Sequence, residues 1–267
     1  MTNTKPLAVV TGASSGIGFE LAKVFADNGY DLLINAEDSR LEAAAEQLRA
    51  AGAGVQPVQT DLSTYNGVEQ LYAAIVSTGR PVSAAALNAG VGQGGAFIDT
   101  DLADEIKIID LNITSTVHLA KRLLTDMVTR DAGRVLITSS IASTMPGSFQ
   151  AVYNASKSFL QSFAQALGNE LKDTGVTITA LMPGPTDTDF FHRADMDDTK
   201  VGQGSKDDPA LVAKQGFEAL MGGKDKVVVG SATTKAQGVA GKVLPDKLKA
   251  AAHWQMAQPE SGEWEED

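Results

Sequence analysis

The chain has 267 residues, 43% apolar and 21% charged, with a formal net charge of −11. That length suits one large α/β domain or two small ones with a sizeable core. The negative balance argues against a nucleic-acid groove or an anionic membrane surface. There is no cysteine, so disulfides and thiolate chemistry are excluded. His118, His192 and His253 are scattered without ligand spacing, so no metal site is expected. Residues 257–267 hold five acids and no base, and read as a solvated acidic tail. The apolar run near the N-terminus is too short for a signal-peptide core, and no membrane-length apolar run follows. A soluble, cytoplasmic protein is expected.

Leu7–Thr11 is a short β-branched run, the pattern of a strand buried on both faces. It runs into Thr11-Gly-Ala-Ser-Ser-Gly-Ile-Gly18, followed by a helical apolar pattern at Phe19, Leu21, Ala22, Phe25 and Ala26. Strand, glycine loop and helix in this order point to dinucleotide binding rather than an idle turn. Gly12 permits the tight turn, Gly16 lets the backbone approach a pyrophosphate, and Gly18 allows close helix–strand packing. The helix N-terminus adds amide donors and a positive dipole end.

The remaining pattern alternates. Strands are predicted over 31–35, 55–59, 82–87, 134–139, 176–181 and 226–229, and helices over 39–51, 65–76, 101–129, 150–172 and 208–221. Between 185 and 207 a polar loop is expected. Such alternation predicts one doubly wound Rossmann-like domain, a parallel sheet of about seven strands with helices on both faces. A ligand would lie across the C-terminal strand ends, where Gly12, Asn35, Asp61, Asn88, Ser140 and Pro183 fall. The domain is expected over residues 1–230, including the loop 185–207, with a C-terminal extension over 231–267.

The glycine loop, Asp61-Leu62, Asn88-Ala89-Gly90, Asn112, Ser140, Tyr153-x-x-x-Lys157 and Pro183-Gly184 together resemble the short-chain dehydrogenase/reductase family. The Gly-x-x-x-Gly-x-Gly spacing is that of its compact branch, and the resemblance covers about residues 5–230. It implies that Tyr153 exchanges a proton with the substrate oxygen. Lys157 would favour the phenolate electrostatically and hold the nicotinamide ribose. Ser140 would hydrogen-bond the substrate oxygen; Ser139, its neighbour on a strand, should point the other way. Asn112 would hold a water linking Lys157 to solvent, unless it is only a polar helix contact.

For the cofactor, the same resemblance assigns Gly12, Ser14, Ser15, Gly16, Ile17 and Gly18 to the phosphate region. Asp61 and Leu62 would border the adenine, and Asn88, Ala89 and Gly90 the ribose. Thr186 and Thr188 would lie near the carboxamide, and Pro183 and Gly184 would also contact the cofactor. Asp61 has a competing reading as a cap for the segment that follows. After the second strand the chain reads Asn35-Ala36-Glu37-Asp38. The resemblance puts Asn35 where NAD users of the family usually carry Asp and Ala36 where NADP users carry a basic residue, with Glu37 and Asp38 following as carboxylates that could reach a ribose hydroxyl. Two carboxylates would repel a 2′-phosphate, so NAD is favoured over NADP, with Arg40 as the alternative NADP anchor.

The substrate region should be bounded by 91–97, 141–149 and 185–207, with Phe97, Met145, Phe149, Met182, Phe190 and Phe191 as candidates for an apolar lining. An NAD(P)-dependent oxidoreductase interconverting a secondary alcohol and a ketone or aldehyde, with Tyr153 as general acid/base and a neutral, fairly hydrophobic substrate, is expected. The alternatives are a 3-oxoacyl thioester ketoreductase and a non-catalytic dinucleotide sensor. The chain lacks the Asp-Gly-Gly ending of the acyl-carrier-protein ketoreductases, and the extension that replaces it either caps the substrate pocket or packs on the surface, the surface reading being favoured. The resemblance also implies a homodimer or homotetramer, built on the two longest helices.

Overall fold

The structure is a computed structural model that describes residues 5–240 and 245–259. Seven parallel strands form one sheet in the order β3-β2-β1-β4-β5-β6-β7. They are β1 (Leu7–Thr11), β2 (Asp31–Ala36), β3 (Val55–Gln59), β4 (Val82–Leu87), β5 (Gly133–Thr138), β6 (Val176–Pro183) and β7 (Lys226–Val229). Strand β1 shows why the sheet is covered on both faces. Its alternate residues Leu7 and Val9 enter one apolar cluster while Ala8 and Val10 enter another.

The first cluster is roofed by α3 (Tyr65–Ser77), α5 (Ser115–Thr129) and α6 (Ala151–Glu170). The second is roofed by α1 (Gly16–Asp27), α2 (Arg40–Ala50) and α9 (Pro209–Met221). Side chains such as Phe25, Leu33 and Leu123 are buried in these layers, each stabilising the fold by about 1.5–3 kcal/mol. The strand order reverses between β1 and β4. A crevice therefore opens at their C-terminal ends, between Gly12 and Asn88.

One predicted element is broken. The single helix expected over 101–129 is α4 (Leu102–Ile108), a π-helical turn (Ile109–Thr114) and then α5. The cause lies in Asn112, whose side chain accepts from Val91 N at 2.9 Å and donates to Val91 O at 3.0 Å and to Ser156 Oγ at 3.0 Å. A wider turn at this point lets the amide reach across to the strand-end loop. The region expected as a loop over 185–207 also carries two short helices, α7 (Phe190–Arg193) and α8 (Lys200–Gln203). The extension contributes α10 (Ala232–Ala240) and α11 (Asp246–Ala257); its acidic residues 260–267 lie outside the described residues.

Candidate active site

All the residues predicted to bind cofactor line one cleft along the strand ends, together with Ser140, Tyr153 and Lys157. Asn112 does not line it: the residue is fully buried behind the cleft wall, with its amide spent on Val91 and Ser156.

The phosphate end is built by what the backbone cannot tolerate. Gly12 and Gly16 have φ of 66° and 57°, left-handed values that favour glycine. A Cβ on Gly18 would lie 2.1 Å from the Gly12 carbonyl oxygen. Ser15 occupies the N-cap of α1 without a side-chain capping bond, so the amides of the first turn meet the cleft uncapped. That cradle fits a pyrophosphate.

Several predicted contacts are occupied by the protein itself. The Asn35 amide donates to Val58 O at 2.9 Å and to Thr60 O at 3.1 Å, fastening β2 to β3. Asn88 donates to Thr11 O at 3.3 Å and accepts from Thr138 Oγ1 at 3.1 Å, binding the ends of β1, β4 and β5 together. Asp61 accepts from Ser63 N at 2.8 Å in a local turn and also lines the cleft. Leu62 lies beside it, buried at the cleft wall.

At the ribose end Glu37 leans toward Lys107, with 3.7 Å between the charged groups. Asp38 faces the glycine loop instead and accepts from Ser14 Oγ at 2.8 Å. Burial pushes the Asp38 carboxyl up, but hydrogen bonds from Arg40 and Ser14 outweigh it and hold the group below its ordinary value. Arg40 also donates to Asp189 at 2.8 Å, so one guanidinium links the two sides of the cleft. The hydrogen bonds that Arg40 donates to Asp38 and then to Asp189 raise its pKa.

At the reacting end Tyr153 and Lys157 project from one face of α6, a turn apart. The Tyr153 hydroxyl is hydrogen-bonded to Ser140, and burial pushes its pKa up to about 12 against that bond. Burial alone brings Lys157 down to about 8. Its Nζ donates to Thr138 O at 3.1 Å and lies 5.6 Å from the centre of the Tyr153 ring. Burial of the hydroxyl, opposed by the Ser140 hydrogen bond, sets the direction of the phenol's shift, rather than the ammonium.

The two serines diverge. Both line the cleft, but Ser139 Oγ is spent on the Lys157 carbonyl at 2.8 Å, whereas Ser140 accepts from Ala142 N at 3.1 Å and donates to Pro183 O at 3.3 Å. Ser140, Pro183 and Tyr153 thus converge. Thr186 donates to Gly184 O at 2.9 Å, and the Thr188 methyl closes over Gly16.

Of the candidate apolar lining, Phe190 and Phe191 border the cleft, and the Phe190 ring lies 5.2 Å from that of Tyr153. Met182 is buried in the sheet and Phe97 is 58% exposed, so neither belongs to it. Sequence reasoning missed Asn154, next to Tyr153, whose amide donates at 3.3 Å to both Ala142 O and Met145 O. It also missed Thr11, whose Oγ1 accepts from the Asn88 and Ala89 amides at 2.9 and 3.0 Å. A polar residue beside a reactive tyrosine, and a threonine closing a buried strand, were the available signals.

Among the described residues no cluster of His, Asp or Glu could hold a metal ion, and no helix is long and apolar enough to cross a membrane.

The family profile described as short chain dehydrogenase matches residues 6–199, and the chain belongs to that family. An uncharacterized oxidoreductase, YmfI of Bacillus subtilis, is 32% identical over 189 residues, covering 70% of this chain and 77% of its own. Among solved structures, a short chain dehydrogenase/reductase from Burkholderia phymatum in complex with NAD superposes with a TM-score of 0.78. It is 25% identical and covers 85% of this chain and 90% of its own. A single-residue variant of actinorhodin polyketide ketoreductase with NADPH reaches a TM-score of 0.75 at 27% identity, covering 84% of this chain and 95% of its own. The protein is thus an oxidoreductase of the short-chain dehydrogenase family, with the fold of that family.

Proposed function

We propose that the chain reduces a neutral, apolar ketone to a secondary alcohol, and runs the reverse oxidation, using a nicotinamide dinucleotide. The observation that carries this reading is the convergence of Tyr153, Ser140 and Lys157 at one end of a cleft whose other end is a phosphate cradle. When bound, the nicotinamide supplies or accepts the hydride. The chain's own residues handle the proton and the charge. The Tyr153 hydroxyl, protonated across the physiological range, donates to the carbonyl oxygen as negative charge develops there. Ser140 Oγ orients that oxygen and shares the charge. The Lys157 ammonium, fixed by the Thr138 carbonyl, offsets the negative charge left on the phenol oxygen. Phe190 beside Tyr153 excludes water and favours an apolar substituent.

NAD is the favoured cofactor, with Asp38 rather than Glu37 as the ribose partner, because Asp38 is the carboxylate tied to the glycine loop through Ser14. A thioester ketoreductase is the second reading, supported by the likeness to the actinorhodin enzyme. A homodimer is also inferred: Ile106, Ile109 and Phe159 are apolar yet exposed on α4, the π turn and α6, which pack side by side. Light scattering on the purified chain checks that.

The functional test is spectrophotometric, with NAD(H) and NADP(H) side by side over aliphatic and aryl ketones, the matching alcohols and a 3-oxoacyl thioester. Turnover of free ketones with preference for NADH is expected. Turnover of the thioester alone selects the second reading, and cofactor binding with no turnover of any substrate sinks both.

A further inference from the structure

The family profile ends at residue 199, and the last helix among the described residues lies beyond it. Helix α11 touches two segments that flank the reacting end of the cleft: 141–149, which follows Ser140, and 190–203, which gives the cleft Phe190, Phe191 and Arg193. On the first, Lys249 Nζ donates to Thr144 O at 2.9 Å, His253 Nδ1 donates to Ser148 O at 2.9 Å, and the Trp254 ring lies 5.8 Å from that of Phe149. On the other, fully buried Ala257 packs with Phe191, Ala194 and Met196, and Pro259 bridges to Thr199. These two segments, residues 141–149 and 190–203, are far apart in sequence.

Phe149 sits where they meet. Its φ is 60°, a left-handed value that is a strained conformation for a bulky residue, at a cost of about 1–3 kcal/mol. Its carbonyl accepts from Gly95 N at 3.0 Å, and its ring packs against the Phe191–Met196–Ala257 cluster together with Phe190. Phe190 in turn lies against Tyr153. A chain of apolar contacts therefore runs from Trp254 on α11, through Phe149 and the cluster, to the reacting tyrosine. Strain of this kind persists only where neighbours hold it, and Trp254 is one of the neighbours.

We propose that α11 is a substrate-selectivity element of this enzyme: it clamps the 141–149 segment to the α7–α8 segment and, through Trp254 on Phe149, limits the size of the apolar group accepted beside Tyr153. This rests on the reading of the site as a ketone reductase. Trp254 is 43% exposed, so its removal takes no side chain from the main core.

The test compares full-length Trp254→Ala with the unaltered chain and with Leu248→Ala, an exposed position on the same helix. The readouts are kcat/KM for a small aliphatic and a bulky aryl ketone, the Kd of the reduced cofactor by fluorescence, and amide hydrogen exchange of the free proteins. In Trp254→Ala the bulky-to-small ratio should rise about fivefold, the cofactor Kd should stay within about twofold, and exchange should quicken in both 141–149 and 190–203. Leu248→Ala should change none of these. A ratio that moves less than about twofold, or falls, overturns the selectivity role. Unchanged exchange in either segment overturns the clamp, and this arm decides the matter even if the unaltered chain turns over no ketone, which would instead refute the proposed reaction.

Discussion

The Lys157 Nζ stands 5.6 Å from the centre of the Tyr153 ring and donates to the Thr138 carbonyl, not to the phenol. The pair is thus set as an acid with a distant electrostatic partner. Burial separates the two groups in opposite directions, the phenol up to about 12 and the amine down to about 8. The protonated phenol is the resting form at neutral pH, which suits reduction.

A pH dependence follows from the amine. Below about 8 Lys157 is charged; above it the charge is lost, while Tyr153 stays protonated until about 12. For ketone reduction, kcat/KM should be flat up to about pH 8 and then fall, approaching tenfold per unit. A profile flat to pH 10 would remove Lys157 from the charge balance.

Tyr153→Phe keeps the ring and its contact with Phe190 but deletes the proton donor. Turnover should drop by about 10²–10⁴-fold, with the cofactor Kd changed less than about twofold. Stopped-flow reduction and fluorescence titration measure the two quantities separately.

Asp38→Ser removes the carboxylate that engages both Ser14 and Arg40. Arg40 then keeps Asp189 alone and gains freedom to meet a 2′-phosphate. The ratio of kcat/KM for NADPH over NADH should rise about tenfold or more. An unchanged ratio would place the cofactor discriminator elsewhere.

Gly18→Ala puts a methyl 2.1 Å from the Gly12 oxygen, a backbone atom that cannot rotate away. Destabilisation of about 1–3 kcal/mol is expected, with weakened binding of either cofactor. Thermal unfolding and titration would show it. Gly29→Ala, at a positive φ that Gly18 does not share and open to space, should strain the backbone and leave the cofactor Kd unchanged.

Much of the architecture was legible because the strands read as short apolar runs and the helices as period-3.6 stripes, as in β1 and α2. The π turn at Asn112 was hidden, since its cause is a hydrogen bond to Val91, 21 residues away. Helices α7 and α8 are four residues each, too short to register a period. The docking of α11 depends on partners about a hundred residues upstream, such as Ser148 for His253. In the site, residue types named the glycine cradle and the Tyr153–Lys157 pair. They could not reveal that Asn35 is turned to β3, or that Asp38 reaches the glycine loop ahead of Glu37.

Arg40 serves two carboxylates, one from each rim of the cleft. The trio carries one uncompensated negative charge, inside a molecule already negative overall. A dinucleotide arrives as an anion, so it meets at the cleft's rim an exposed ion pair that its own charge can loosen. Added salt screens both the repulsion and the bridge, and cofactor association should quicken as ionic strength rises.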